Sequence, residues 1–447
     1  MKSRNLSKRG NKPSGNFDMR NPFRIFVDIK KSELPFTLLM FSQFFLLITC
    51  FWILKPLKKG LFIERYDVTG FQFLGFNLEA PQAELLAKEL NLVLAFVAMA
   101  IFSFVARRFA RHRLINIMAS VMSAGYIVFS FLLDTPVDVT IWAFYLFGDL
   151  FHMFMVVGFF AFLNDSLNAE QAGRLYGPIV LGGVLGGVFG ASVVRAMISL
   201  LSIGQWLFVA MGVTLLISVL ATGAAKFVMP PVETCDLDRK QGVWLQGLVL
   251  TAKSHYLISI AALVLLYEFV SVSADFQFTS VTAHFLDGHA ISEHLSTVYL
   301  ITNVTALVVQ LLVTGTVMSK FGVGRALLVL PVAFIFISLG FMAAPVLWMG
   351  ASMSIADNGL NYSINQSSKE ALYVVASRQE RYFGKAFIDI FVLRFAKAAG
   401  VGLMLLASTT LLTGFSNLRW LSLITVILCV VWLLAARYAG KHFRETD

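Results

Sequence analysis

Long apolar runs alternate with short polar turns along nearly the whole chain. The first run begins at Phe36, and the pattern predicts twelve helices. Their expected spans are 36–63, 89–107, 114–133, 139–163, 174–198, 204–227, 254–285, 294–318, 324–343, 345–367, 383–412 and 417–438. Most are about as long as the roughly 20 apolar residues that a membrane-crossing helix needs. The strict alternation of a membrane β-barrel is absent, and lipid leaves no backbone hydrogen bond open, so the expected fold is an all-α polytopic membrane protein. A signal peptide is not expected, because no apolar run precedes residue 36.

The polar turns divide into two sets. Those at 106–113, 164–174, 226–240, 319–325 and 368–385 carry most of the loop Lys and Arg, whereas 134–138, 287–294, 343–345 and 413–417 carry none. Basic turns stay on the cytoplasmic side, so both termini are expected there, in the cell's inner membrane. One turn on the other side, 64–88, is longer and of mixed charge. The chain then divides into a basic tail 1–35, a six-helix bundle 36–227, a polar linker 228–253, a second six-helix bundle 254–440 and a short tail 441–447. The bundles echo each other. Arg108–Arg113 has a counterpart in Lys320–Arg325, and Asn164-Asp-Ser166 in Asn365-Gln-Ser367. Six plus six helices in parallel repeats is a major-facilitator-like plan, with substrate held near the midplane between the halves.

Composition agrees: 57% of the 447 residues are hydrophobic and 14% charged, against about 25% charged in soluble domains. The net charge of +10 is concentrated in the N-terminal tail, which reads as a cytoplasmic anchor and not as a nucleic-acid arm. The three cysteines, Cys50, Cys235 and Cys429, fit neither a metal spacing nor a disulfide framework. The glycine-rich run Gly177–Gly190 lacks the terminal Lys-Ser/Thr of a phosphate loop and reads as small-xxx-small helix packing. No enzyme motif stands out, and no cofactor is expected.

Charges inside apolar helices are costly, by roughly 2.5–3.5 kcal/mol at mid-bilayer on insertion scales, and so mark cavities or partners. The first span ends with Lys55, Lys58 and Lys59 on one face. The fourth carries Asp149 and His152 one turn apart, and the seventh carries Glu268 and Asp275. The eleventh keeps Lys385, Asp389, Arg394 and Lys397. Lys385 and Asp389 read as an i,i+4 clasp. Lys397 has no acid three or four residues away and needs a partner from another helix or from substrate.

These stretches resemble the nucleotide transporter (ATP/ADP translocase) family of plastids and intracellular bacteria. Ile53-Leu-Lys-Pro-Leu-Lys58 resembles the family's first-helix ILR-x-x-KD. Gly148-Asp-Leu150, Phe159–Asn164 and Glu170–Gly177 resemble its AEL, FW-x-x-x-N and EAKRLYG run. Ser368-Lys-Glu-Ala-Leu-Tyr373 resembles TKE-x-AY, and Gly384–Asp389 with Phe395–Gly400 resembles GKAAID…R-x-GKSGG. The resemblance implies substrate-binding roles for Lys58, Asp149, Asp275 and Lys397; Lys55, His152 and Arg394, picked out by their charge within apolar helices, are secondary candidates. It also implies an antiporter of ATP and ADP or of a related phosphorylated anion, and a monomer is expected. The chain departs from the family pattern at Lys59, Ser367, Ala398 and Ala399. Two other readings stay open: a proton-coupled transporter of another organic anion, using Asp149 with His152 as its titratable pair, and a non-transporting scaffold or sensor.

Overall fold

A computed structural model describes residues 29–227 and 243–446, apart from Leu74, Arg107, Ala110 and Arg378. The basic tail up to Asp28, linker residues 228–242 with Cys235, and Asp447 lie outside the described residues.

The first half consists of α1 (Leu34–Thr69), α2 (Ala80–Ala106), α3 (Arg111–Leu132), α4 (Asp138–Ser166), α5 (Ala169–Met197) and α6 (Ile203–Ala225). A short helix α7 (Val243–Lys253) leads into α8 (His255–Phe285). There follow α9 (His289–Phe321), α10 (Val323–Ala343), α11 (Leu347–Leu360) and its continuation to Leu372, α12 (Lys385–Leu411) and α13 (Leu418–Thr446). Among the described residues ten helices are long and apolar enough to cross a membrane. With α2 and the extended α11 they occupy the twelve expected spans.

The expected 64–88 turn is different in kind. A hairpin pairs β1 (Phe71–Phe73) with β2 (Phe76–Leu78), turning through Gly75 at φ 86°, and α2 starts at Ala80, nine residues earlier than its apolarity suggests. Gln82, Glu84, Lys88 and Glu89 depress local hydropathy, but they lie on helix surface that faces protein and cavity.

Each half has its own apolar core. Met40, Phe44, Tyr126, Phe151 and Phe159 anchor the first; Leu263, Val270, Phe334 and Trp432 anchor the second. A third cluster crosses between halves, with Phe62 and Tyr66 of α1, Tyr145 of α4, Phe278 of α8 and Leu295 and Tyr299 of α9. It closes the end of the bundle whose turns lack Lys and Arg.

The glycine run does what its spacing suggests. α1 and α5 approach so closely that a Cβ on Gly182, Gly186 or Gly190 would lie 2.5, 2.2 or 2.6 Å from the carbonyl oxygens of Phe41, Phe45 and Thr49. The Thr49 hydroxyl donates to the Gly186 carbonyl at 3.1 Å. Where lipid is as apolar as leucine, such close approach is what holds helices together.

Gly186→Leu is expected to lower the thermal midpoint of the detergent-purified protein, by more than the about 1–3 kcal/mol typical of overpacking, since backbone has to move. Gly212→Ala, with nothing within 4 Å of its added Cβ, is expected to leave the midpoint unchanged or slightly raised.

Candidate functional site

Between the halves lies a cavity of about 1170 Å³. It runs from the inter-half aromatic cluster toward Phe160, Gln366 and Lys369, near the basic turns. Seven basic and seven acidic side chains line it, so its formal charges cancel: Lys55, Lys58, Lys59, Lys88, Lys369, Arg394 and Lys397 against Glu84, Glu89, Asp149, Glu268, Asp275, Asp357 and Asp389.

α1 brings all three of its lysines to the cavity, each in a different setting. Lys55 sits in an aromatic box, its Nζ 4.5 Å from the Trp52 ring centre and 4.7 Å from that of Tyr299. Ring faces stabilise an ammonium without neutralising it. Lys58 pairs with Asp149 of α4 and lies over the Tyr145 ring. The other Asp149 oxygen accepts from the Asn91 amide of α2.

Lys59 enters a four-charge network joining the halves. Its Nζ is 3.1 Å from Glu84 Oε1 and 3.0 Å from Asp275 Oδ1. Lys88 binds the same two carboxylates, at 3.2 Å from Glu84 and through the second oxygen of Asp275. Glu84 is 1% exposed. It also accepts from the Tyr145 hydroxyl at 3.0 Å and from the Thr279 hydroxyl at 2.8 Å. Two ammonium groups and two carboxylates thus satisfy one another at the floor of the cavity, directly against the inter-half cluster.

Asp275 therefore engages Lys59 and Lys88, and Lys397 is left for other groups. Lys397 is exposed to the cavity. It makes no ion pair among the described residues, and the carboxylates facing it are Glu89 and Glu268. Arg394 lies over the Phe96 ring at 5.7 Å. His152 packs on Phe51 with ring centres 4.1 Å apart, its Nδ1 buried and unbonded; it is not hydrogen-bonded to Asp149.

The expected Lys385–Asp389 clasp is replaced by two clasps across the turn. Lys385 binds Glu370 at 2.5 Å and Asp389 faces Lys369 at 3.6 Å. The π turns at Glu380–Gly384 and Ile388–Val392 wind the helix more loosely than the α geometry on which an i,i+4 argument rests. Sequence reasoning also passed over Glu84 and Lys88 as loop charges. Their i,i+4 spacing was the available signal.

A neutral, charge-lined cavity between two helical bundles, closed at one end by aromatics, defines a membrane transporter. The chain belongs to the Major Facilitator Superfamily, whose family model matches residues 40–388. A second model, "TLC ATP/ADP transporter", matches residues 342–443. The chain is similar to ADP,ATP carrier protein 2 of Chlamydia pneumoniae, 23% identical over 217 residues, which are 43% of this chain and 39% of that protein. ADP,ATP carrier protein 1 of the same organism is 24% identical over 217 residues, 43% of this chain and 41% of that protein. The match thus spans about two fifths of the length of these curated relatives. Among solved structures, a mutant of the nucleoside transporter NupG superposes with TM-score 0.64 at 15% identity, covering 91% of this chain and 99% of that one. A bacterial homologue of the lysosomal transporter Spinster superposes at 0.59 with 13% identity, covering 94% and 99%.

Glu84→Ala is expected to destabilise the protein by about 3–5 kcal/mol, since it strips a buried partner from Lys59 and Lys88. The double variant Glu84→Met/Lys59→Met should lose clearly less than the sum of its single changes in a thermal double-mutant cycle.

Proposed function

We propose that this chain is a secondary transporter that exchanges adenine nucleotides, or a related phosphorylated anion, by alternating access in the inner membrane. The observation that carries the reading is that one cavity is lined by Lys55, Lys58 and Lys59 from α1 and by Lys397 from α12, one helix in each half. Lysines serve phosphate as compact point charges. A volume of about 1170 Å³ exceeds the roughly 300–1,000 Å³ of common ligand pockets, which leaves room for a nucleotide with water.

In this reading residues 36–227 and 254–440 rock about the aromatic cluster, joined by the linker 228–253. Both termini and the basic turns are cytoplasmic, so the open end of the cavity faces the cytoplasm. Lys397 and Lys55, which hold no carboxylate in the empty cavity, take the phosphate oxygens first. Lys58 then exchanges Asp149 for phosphate, and Asp149 retains its Asn91 contact.

The cost of leaving makes the exchange obligatory. Once substrate departs, Lys58 recovers Asp149 but Lys55 and Lys397 have no acid at ion-pair distance to recover, and closing the halves on an unpaired buried charge costs several kcal/mol. Asp275 acts at one remove in this scheme: it keeps Lys59 and Lys88 neutralised on the closed side. The likeness of the α11–α13 region to an ATP/ADP transporter model supports a nucleotide over an unphosphorylated cargo. The Lys59, Ala398 and Ala399 departures keep related phosphorylated anions within the proposal.

In proteoliposomes, labelled ATP should enter vesicles preloaded with ADP and should not enter empty ones. Lys397→Ala and Lys58→Ala should each lower exchange by at least about tenfold, the equivalent of ~1.4 kcal/mol. A correctly folded Lys397→Ala protein that exchanges at the native rate would refute this reading. Competition by other nucleotides, sugar phosphates, inorganic phosphate and dicarboxylates ranks the cargo.

A further inference from the structure

The phosphate-holding scheme uses the lysines of the cavity and leaves two acids of the second half without a task. Asp357 on α11 is 7% exposed and Glu268 on α8 is 8% exposed, and both line the cavity. Neither forms an ion pair among the described residues. Asp357 Oδ2 accepts from the Ser271 hydroxyl at 2.9 Å, whereas Oδ1 is buried and has no hydrogen-bond partner.

The surroundings supply no basic group at ion-pair distance among the described residues. Asp357 is faced by Tyr267, Glu268 and Asp275 from α8 and by Tyr362 from the π turn that follows α11. The basic group that reaches it from α1 is Lys55, which is held in its aromatic box. Glu268 is faced from α12 by Lys397 and from the α11 continuation by Lys369. Lys397 is committed to substrate in the proposed cycle, and Lys369 faces Asp389. A buried carboxylate in this position is unfavourable as an anion unless a small cation joins it. A metal ion needs more oxygen ligands than two carboxylates and a hydroxyl that already donates. No group of three or more His, Cys, Asp and Glu able to hold one occurs among the described residues.

We infer that Asp357, with Glu268 facing it, is a proton-carrying site on the second half of the cavity, loaded through Asp357 Oδ1. The inference rests on the anion-transport reading of the cavity. A hydronium ion of the cavity gives up one proton, its O–H bond breaking and leaving water as an O–H bond forms at Oδ1 and the carboxyl becomes neutral; when the cavity opens to the other side that O–H bond breaks and water there takes the proton. No electrons move and no co-reactant is needed. The site differs from the Asp149–His152 pair suggested by sequence, since Asp149 is occupied by Lys58 and Asn91 and His152 packs on Phe51. A pH gradient would then do work on anion entry alongside the exchanged nucleotide.

Infrared difference spectroscopy on purified protein in lipid, stepped from acid to alkaline pH, reads a protonated carboxyl through its carbonyl stretch. The native protein should lose such a band on alkalinisation, and Asp357→Asn should lack it. Ser271→Ala, which removes the donor to Oδ2 and leaves the carboxyl in place, should shift the band without abolishing it. In ADP-loaded proteoliposomes, acid outside should raise labelled ATP entry several-fold, and Asp357→Asn and Glu268→Gln should lose that response. A carbonyl band unchanged in Asp357→Asn, or a gradient response equal in native and variant proteins, overturns the proton site. Absence of nucleotide entry in the native protein overturns the nucleotide reading instead, and the infrared result still decides the site.

Discussion

Charge inside a membrane has to be neutralised by geometry, and most of this fold's particular features follow from that. Lys59, Lys88, Glu84 and Asp275 come from α1, α2 and α8, and no two neighbouring helices could satisfy all four. The network therefore draws α2 of one half against α8 of the other. It can exist only where the aromatic cluster of Phe62, Tyr145, Phe278 and Tyr299 excludes lipid and seals the end beyond it. Opening that end would separate Lys59 and Lys88 from Asp275 while Glu84 stayed with them on the first half. Part of the neutralisation travels with α1 and α2, which lowers the cost of parting the halves without removing it.

The cavity follows the same logic in reverse. Its pairs are incomplete by design of placement: Lys58 has Asp149 and Lys369 faces Asp389, whereas Lys55 and Lys397 have no carboxylate at ion-pair distance among the described residues. Lys55 lies against aromatic faces and Lys397 is exposed to the cavity, so neither is tied up by a carboxylate. In the proposed function an anion supplies the missing partner. The unpaired acids Glu89, Glu268 and Asp357 bring the formal charge of the empty lining to zero without pairing either lysine, so closing the empty cavity would leave separated charges that the low-dielectric surroundings penalise.

Much of this was legible in sequence because membrane helices announce themselves by length and apolarity. All twelve spans fall on observed helices, and the glycine pairs of Gly182–Gly190 fall on the α1–α5 contact. The start of α2 was illegible for a physical reason. Hydropathy averages over a helix's faces, and a turn of helix facing a charge network has the composition of a loop. Glu84 and Lys88 were lost with it. The pairing of charges was legible only as a shortage of local partners. Sequence could show that Lys397 lacked an acid along its own helix, but it could not show that Asp275 would be taken by Lys59. The i,i+4 reading of Lys385 and Asp389 failed because π turns change the angular step on which it depends.

The departures at Lys59, Ala398 and Ala399 take on different weights once the partners are known. Lys59 replaces an acid in the pattern that α1 resembles, and a base there would be unsupported alone. Here it is held by Glu84 and Asp275, with Lys88 sharing the same two carboxylates. The change is thus absorbed by the closed-end network and leaves Lys58 with Asp149 untouched. Ala398 is different, because it lines the cavity beside Lys397. A hydroxyl at that position could donate to a phosphate oxygen, and a methyl group cannot. In the proposed exchange, discrimination among phosphorylated anions is therefore expected to depend on the neighbourhood of Lys397 more than on Lys59, since Lys59 is already held by Glu84 and Asp275.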